Sequence, residues 1–198
     1  MVKFITILQS AEAEVIIEKS RFIAHITRTD TREEADSFIA LIRKQYKDAT
    51  HNVPAFVIGE KQEIQWASDD GEPSGTSGAP ILQLLVKEGL TNVTIVVTRY
   101  FGGVKLGTGG LVRAYTGVAR DALISAGRFE VKDIIKKIIC VPYNLLSKVQ
   151  KSSEEIGFDI LNIDYEENLK ITISFEKEFE EMVIERINDI CQGKVSIL

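Results

Sequence analysis

The stretch Val93–Tyr115, VTIVVTRYFGGVKLGTGGLVRAY, determines how the N-terminal part of this chain folds. Val93–Thr98 is an apolar, β-branched run, which predicts a strand buried on both faces. Five glycines follow within residues 102–110, and apolar residues then recur at helical spacing. The pattern predicts a strand, a glycine-rich turn and a helix that begins near Thr108 or Gly109.

The segments before this stretch predict more strands and two helices. Thr31 and Glu34 have the spacing of a capping box, which predicts the start of a helix. Alternating or continuous apolar runs predict strands at 2–8, 15–18, 22–27, 53–58 and 63–67, and a second helix at 81–87. We expect the first two strands to pair with each other, and the helices to cover one face of a mixed sheet. His25 falls on the polar side of its strand, which predicts a solvent-facing side chain.

The last third of the chain predicts a separate domain. Its apolar periodicity gives strands at 134–141, 161–165, 169–175 and 195–198, with helices at 145–156 and 179–190. The order β-α-β-β-α-β is the split unit of the ferredoxin-like fold. The prediction is an α+β chain of two domains, 1–130 and 131–198, with the boundary near residues 129–133.

Composition limits the possible functions. The 198 residues carry a net charge of −5, which argues against a broad nucleic-acid coat. Residues 95–128 hold five basic side chains and one acid, a local charge of +4 (5 − 1). Cys140 and Cys191 lie among apolar residues, which predicts core positions. No run is apolar enough for a membrane helix and no cofactor or zinc pattern is present, so we expect a cytoplasmic protein without a cofactor.

The glycine-rich turn has two interpretations. Its glycines allow positive φ and close approach of a ligand, and the following helix presents free amides and a partial positive charge. Arg99, Lys105 and Arg113 place full charges nearby, so the turn predicts a site for phosphate, a nucleic-acid backbone or an acidic peptide. The alternative is that the glycines only permit tight packing of the helix on the sheet.

Residues 68–78 form a second polar stretch. Asp69, Asp70 and Glu72 are candidate magnesium ligands for phosphoryl chemistry. Ser74 or Ser77 could alternatively act as a nucleophile with His51 as its base. A loop of Asx turns with solvated side chains explains the same composition.

Four blocks in order resemble one family. They are SRFIA at 20–24, THN at 50–52, DGEPSGT at 70–76, and TRYFGGVKLGTGGLVRAY at 98–115. Together they resemble the YigZ/IMPACT family, whose bacterial members carry an IMPACT-type N-terminal domain and a ferredoxin-like C-terminal domain. The resemblance implies an N-terminal β/α sandwich like the second domain of a small-subunit ribosomal protein. It implies a C-terminal domain similar to the last domain of elongation factor G.

The resemblance also implies a link to translation. Eukaryotic IMPACT restrains the starvation-responsive kinase of a translation initiation factor by competing for its activator. Bacteria lack that pathway, so what the resemblance implies here is a macromolecular partner, either RNA or the ribosome or a translation-related protein.

The leading hypothesis is therefore a non-enzymatic binding protein linked to translation or its regulation. Its predicted ligand-binding residues are His51, Asn52, Glu72, Arg99, Tyr100, Gly102, Gly103, Lys105, Gly107, Gly109, Gly110 and Arg113. The alternative is a metal-dependent phosphotransferase or hydrolase that uses Asp69, Asp70 and Glu72.

Overall fold

The computed structural model describes residues 2–197, which fold into two compact units. One unit is formed by Lys3–Val131, and the other by the residues from Lys132 onward together with Val2. Both units combine helices with antiparallel strands. The predicted α+β class and the two-domain organisation are confirmed.

The first unit is built on a five-stranded sheet in the order β2-β3-β6-β4-β5. The bounds of the strands in this part of the chain are β1 Val2–Ile7, β2 Ala11–Ile17, β3 Ser20–Arg28, β4 His51–Ile58, β5 Ile64–Ala67, β6 Val93–Tyr100 and β7 Arg128–Lys132. Every neighbouring pair in the five-stranded sheet is antiparallel, so the expected mixed sheet is wrong. The expected pairing of the first two strands is also wrong. β2 forms a hairpin with β3, and β1 pairs with β7. Just beyond that pair, the Leu8 and Gln9 amides donate to the carbonyls of Gly127 and Ala126.

Helices cover both faces of this sheet, not one face as expected. Their bounds are α1 Arg32–Gln45, α2 Gly78–Lys87 and α3 Gly107–Ala126. Side chains that alternate along β6 reach opposite cores: Ile95 packs with the buried residues of α2 and α3, whereas Val96 packs with those of α1. Within residues 2–197, no helix combines the length and apolar character needed to cross a bilayer.

The position of α1 explains why His25 is buried. Its side chain is only 2% exposed, and its ring centroid lies 4.7 Å from that of Tyr46, just after α1. The prediction of a solvent-facing His25 is wrong because α1 covers the face that the strand alternation assigned to solvent. The start of α1 is as predicted: the Thr31 hydroxyl accepts a hydrogen bond from the Glu34 amide at 3.2 Å, and the Glu34 carboxylate accepts one from the Asp30 amide at 2.7 Å.

The second unit has the predicted ferredoxin-like topology. Its elements are β8 Ile134–Val141, α4 Leu146–Ile156, β9 Asp159–Tyr165, β10 Leu169–Glu176, α5 Glu180–Ile190 and β11 Ser196–Ile197. The antiparallel strand order β11-β8-β10-β9 is the order that a split β-α-β-β-α-β unit produces. Cys191 is buried in this core as predicted, and Cys140 is half-buried.

Candidate functional site

A cleft in the first unit lies where β4 begins and β6 ends. His51 and Arg99 are directly paired across these antiparallel strands, so both stand at the same edge of the sheet. The loop 68–78 and the start of α3 complete the walls. The cleft has a volume of about 410 Å³ and is lined by Thr50, His51, Glu72, Pro73, Arg99, Phe101, Lys105, Leu106, Gly107, Thr108 and Leu111.

The floor of the cleft is a buried network around Glu72. Glu72 Oε1 accepts hydrogen bonds from Arg99 Nη1 at 2.6 Å and from the Tyr115 hydroxyl at 2.7 Å. Burial, together with the bond to Glu72, raises the pKa of Tyr115 far above its usual value, so the hydroxyl stays protonated and donates. The Arg99 guanidinium also lies 5.3 Å from the ring centroids of Phe22 and Phe101.

Arg99 therefore differs from its prediction. The sequence suggests a free cation beside the glycine turn, but its side chain is 6% exposed and its charge is compensated by Glu72. Glu72 lies 27 positions before Arg99, so a count of charges near Arg99 in the sequence does not include it. Arg99 belongs to the floor of the cleft as a paired group.

His51 stands beside this network in a defined tautomer. Its Nδ1 lies 2.7 Å from the main-chain carbonyl oxygen of Asp70. A carbonyl oxygen can only accept, so Nδ1 carries the proton and Nε2 of the neutral ring is an acceptor. Nε2 lies 3.8 Å from Glu72 Oε1.

The three candidate magnesium ligands have different partners in the protein. Asp69 accepts bonds from the amides of Gly75, Ser77 and Gly78 and from the Ser77 hydroxyl, between 2.7 and 3.1 Å. Asp70 is bound by Arg43 and the Asn52 amide, and Glu72 by Arg99 and Tyr115. Over residues 2–197 no three His, Cys, Asp or Glu side chains are grouped to hold a metal ion. Each of these carboxylates thus satisfies different donors of the protein.

Asp69 instead shapes the loop that carries Glu72. Burial raises the pKa of Asp69, but its four hydrogen bonds outweigh that effect and bring the pKa below the usual value. The Ser77 hydroxyl donates to Asp69 at 2.7 Å and makes no hydrogen bond with His51.

In the glycine turn, some glycines adopt positive φ and another permits tight packing. Gly103 and Gly107 adopt positive φ, at 88° and 70°, whereas Gly102, Gly109 and Gly110 do not. Gly102 packs so closely on the Lys19 backbone that a Cβ would collide with its carbonyl group. Gly109 and Gly110 lie inside α3. Positive φ is thus used at two of the five glycines, and tight packing explains Gly102.

Lys105 and Arg113 are exposed cations beside the glycine turn. Arg120 and Arg128 both pair with Glu88, and Arg99 pairs with Glu72. Neither Lys105 nor Arg113 makes an ion pair with any residue in 2–197. Lys105 lines both the cleft and an adjoining groove, whose lining residues include Gly110 and Arg113.

Seven predicted ligand residues are outside the cleft lining: Asn52, Tyr100, Gly102, Gly103, Gly109, Gly110 and Arg113. Gly110 and Arg113 line the adjoining groove, whereas Asn52 and Tyr100 have partners elsewhere in the first unit. Asn52 accepts a bond from Thr98 Oγ1 at 2.7 Å and donates one to the Tyr46 carbonyl at 3.1 Å, so it ties β4 to β6 and to the end of α1. Tyr100 donates to Asp48 at 3.1 Å, and its ring lies 5.9 Å from the Arg21 guanidinium. Strand alternation turns it to the face opposite Arg99.

Sequence reasoning missed the role of Tyr115. Helical spacing places Tyr115 on the apolar face of the helix after the turn, but it does not indicate that the fully buried hydroxyl donates to Glu72. The available signal is that a tyrosine within an apolar helical stripe needs a buried acceptor for its hydroxyl.

Comparisons with known proteins agree with this architecture. Residues 18–123 match the family described as Impact N-terminal domain, and residues 139–194 match a domain of unknown function, DUF1949. The chain is 42% identical to "IMPACT family member YvyE" of Bacillus subtilis, covering 98% of this chain and 89% of that protein. It is 33% identical to "IMPACT family member YigZ" of Escherichia coli, covering 92% and 90%.

A solved structure, "Crystal structure of an hypothetical protein", has 30% identity and a TM-score of 0.63, and covers 98% of this chain and 96% of that chain. This fold, these two matched domains and these relatives show that the chain belongs to the IMPACT family of YvyE- and YigZ-like proteins.

Proposed function

We propose that this protein is a non-enzymatic binding protein linked to translation, and that it binds single-stranded RNA through a phosphate group at the start of α3. The main supporting observation is that two cations, Lys105 and Arg113, lie beside an uncapped helix start and make no ion pair with residues 2–197. The link to translation rests on the family resemblance.

The start of α3 has the features of an anion site. Its N-cap residue is Leu106, which has no side-chain oxygen to cap the first amides. Gly107, Thr108 and Gly109 are exposed. Free amides and the helix dipole favour a phosphate there, and Lys105 and Arg113 add full charges.

Charge and size favour a local contact with RNA. The chain carries a net −5, so it repels a long nucleic-acid backbone except where cations are concentrated. A cleft of about 410 Å³ has the volume of a small-ligand pocket and suits a single nucleotide better than a duplex. We therefore expect a loop or an unpaired end of RNA.

The test is salt-dependent binding of a fluorescent single-stranded RNA. Lys105→Ala, Arg113→Ala and the double variant are compared with Lys61→Ala, a surface lysine on the turn before β5, and Arg120→Ala, on the same helix. Each phosphate contact contributes about 0.7 to the slope of log affinity against log salt. We expect the double variant to weaken binding and reduce the slope by about 0.7, the contribution of the one phosphate contact, while the controls match wild type.

Two results would overturn the proposal. One is the absence of RNA binding at low salt. The other is that Lys105→Ala and Arg113→Ala bind as tightly as the two control variants.

A further inference from the structure

The floor of the cleft holds an unused acceptor on a buried acid. The Glu72 side chain is 3% exposed, and the hydrogen bonds that it accepts from residues 2–197 all go to Oε1. Oε2 accepts no hydrogen bond from these residues. Within residues 2–197, the fully buried side-chain atoms without a partner are His25 Nε2 and Arg99 Nε, so Oε2 is not fully buried. Oε2 therefore reaches open space, and Glu72 lines the cleft.

A second acceptor lies beside it. His51 Nε2 carries no proton in the neutral ring, because Nδ1 donates to the Asp70 carbonyl at 2.7 Å. The 3.8 Å between Nε2 and Glu72 Oε1 is too long for a good direct hydrogen bond. The two acceptors thus face a ligand from one side and can share its donor groups.

The rest of the cleft can bind an anionic group and a flat ring of the same ligand. Lys105 and the Gly107 end of α3 attract an anion at the rim. Phe101 is 45% exposed and offers a ring on which a base can stack. A group of hydroxyl donors, a phosphate and a flat ring are combined in a ribonucleotide.

We infer that the cleft holds one ribonucleotide of the bound RNA, with its 2′-hydroxyl donating to His51 Nε2 or Glu72 Oε2, so that the protein distinguishes RNA from DNA. This inference rests on the proposed function, because the phosphate of that nucleotide is the anion bound at α3. DNA lacks the 2′-hydroxyl and leaves both acceptors unpaired. The acceptors at the floor determine the discrimination between RNA and DNA, and the cations at the rim determine the overall affinity for either strand.

The test compares three single strands of one sequence: RNA, DNA and 2′-O-methyl RNA. We expect wild type to bind RNA about tenfold more tightly than DNA, the effect of one well-placed hydrogen bond. The 2′-O-methyl RNA retains an oxygen at C2′ but cannot donate, so it should bind about as weakly as DNA. This comparison needs no substitution and does not depend on the folding of a variant.

A substitution at His51 then tests whether this residue distinguishes RNA from DNA. His51→Ala should reduce the RNA-to-DNA affinity ratio toward one and leave the salt slope unchanged, because the rim cations are still present. Lys61→Ala should keep the wild-type ratio. Retained Trp66 fluorescence verifies that the variant's first unit is folded, since Trp66 is the single tryptophan and lies in β5.

The outcomes separate this inference from the proposed function. Equal affinity for RNA and DNA, or for RNA and 2′-O-methyl RNA, overturns the inference and leaves phosphate binding at α3 intact. No binding of any strand overturns both. A lysine peptide that binds the cleft while RNA does not would assign the acceptors to a protein partner and also overturn both.

Discussion

The buried pair of Arg99 and Glu72 gives a prediction about the stability of the first unit. Arg99→Met replaces the guanidinium, which lies 5.3 Å from the ring centroids of Phe22 and Phe101, by an unbranched apolar side chain. The change leaves the Glu72 carboxylate buried with the Tyr115 hydroxyl as its remaining hydrogen-bond donor among residues 2–197. The variant should therefore be less stable even though the methionine fills the space.

The magnitude follows from the burial of both partners. Their side chains are 6% and 3% exposed, so solvent screens the pair very little. Removing one partner of a buried ion pair costs about 3–5 kcal/mol. We expect a value near 3 kcal/mol, because Tyr115 still donates and Glu72 Oε2 reaches the cleft. Glu72→Gln alone should cost a similar amount, since it leaves Arg99 buried without its anion.

A double-mutant cycle separates the pair from the packing. In Arg99→Met with Glu72→Gln no charge is buried, so the cost should fall to about 1–2 kcal/mol, well below the sum of the single costs. Urea unfolding followed by Trp66 fluorescence measures the first unit alone, because β5 carries the single tryptophan. A cost below about 1 kcal/mol for Arg99→Met, or additive costs in the double variant, would refute this account of a desolvated pair.

Three further predictions concern the surroundings of the cleft. Asp69→Asn should destabilise the first unit by about 2 kcal/mol at neutral pH. The folded-state pKa of Asp69 is lowered, so its contribution is complete above the unfolded-state pKa near 4 and is lost as the pH falls through the folded value. The difference from wild type in the free energy of urea unfolding should therefore shrink as the pH is lowered below about 4. Gly102→Ala should cost about 1–3 kcal/mol because its Cβ meets the Lys19 backbone, whereas Gly117→Ala in α3, with open space around it, should stabilise by about 0.5–1 kcal/mol; a loss of stability in the second variant would contradict the comparison. Thr31→Ala should lower the free energy of unfolding by about 1 kcal/mol through loss of the α1 cap, and an unchanged urea midpoint would argue that this cap is not formed.

Features of the fold that depend on neighbours in sequence were predictable. The cap of α1 and the strand-turn-helix at 93–126 arise from residues within a few positions of one another. The split β-α-β-β-α-β unit was predictable because its periodicities alternate clearly. The face of the sheet that α1 covers was not predictable. An amphipathic pattern predicts that a helix packs on a sheet, but it does not predict on which side. His25 was misassigned for this reason alone.

The candidate site shows the same limit. The sequence brings out His51, Glu72, Lys105 and Gly107, and the structure places all four around one cleft. It could not predict that Arg99 is neutralised by Glu72, because ion pairing across 27 residues depends on the tertiary fold. Counting charges along the chain therefore overestimated the cations available to a ligand.

The pairing of Arg99 changes which end of the cleft attracts an anion. With Arg99 compensated by Glu72, the floor offers acceptors and no net positive charge, and a phosphate placed there would face the unpaired oxygen of Glu72. Lys105 and the uncapped start of α3 place the positive potential at the rim. A ligand with an anionic end and a donor-rich end can satisfy both regions only with its phosphate at the rim and its hydroxyls inward. The orientation of the proposed nucleotide thus follows from the ion pair that removed Arg99 as an anion-binding residue.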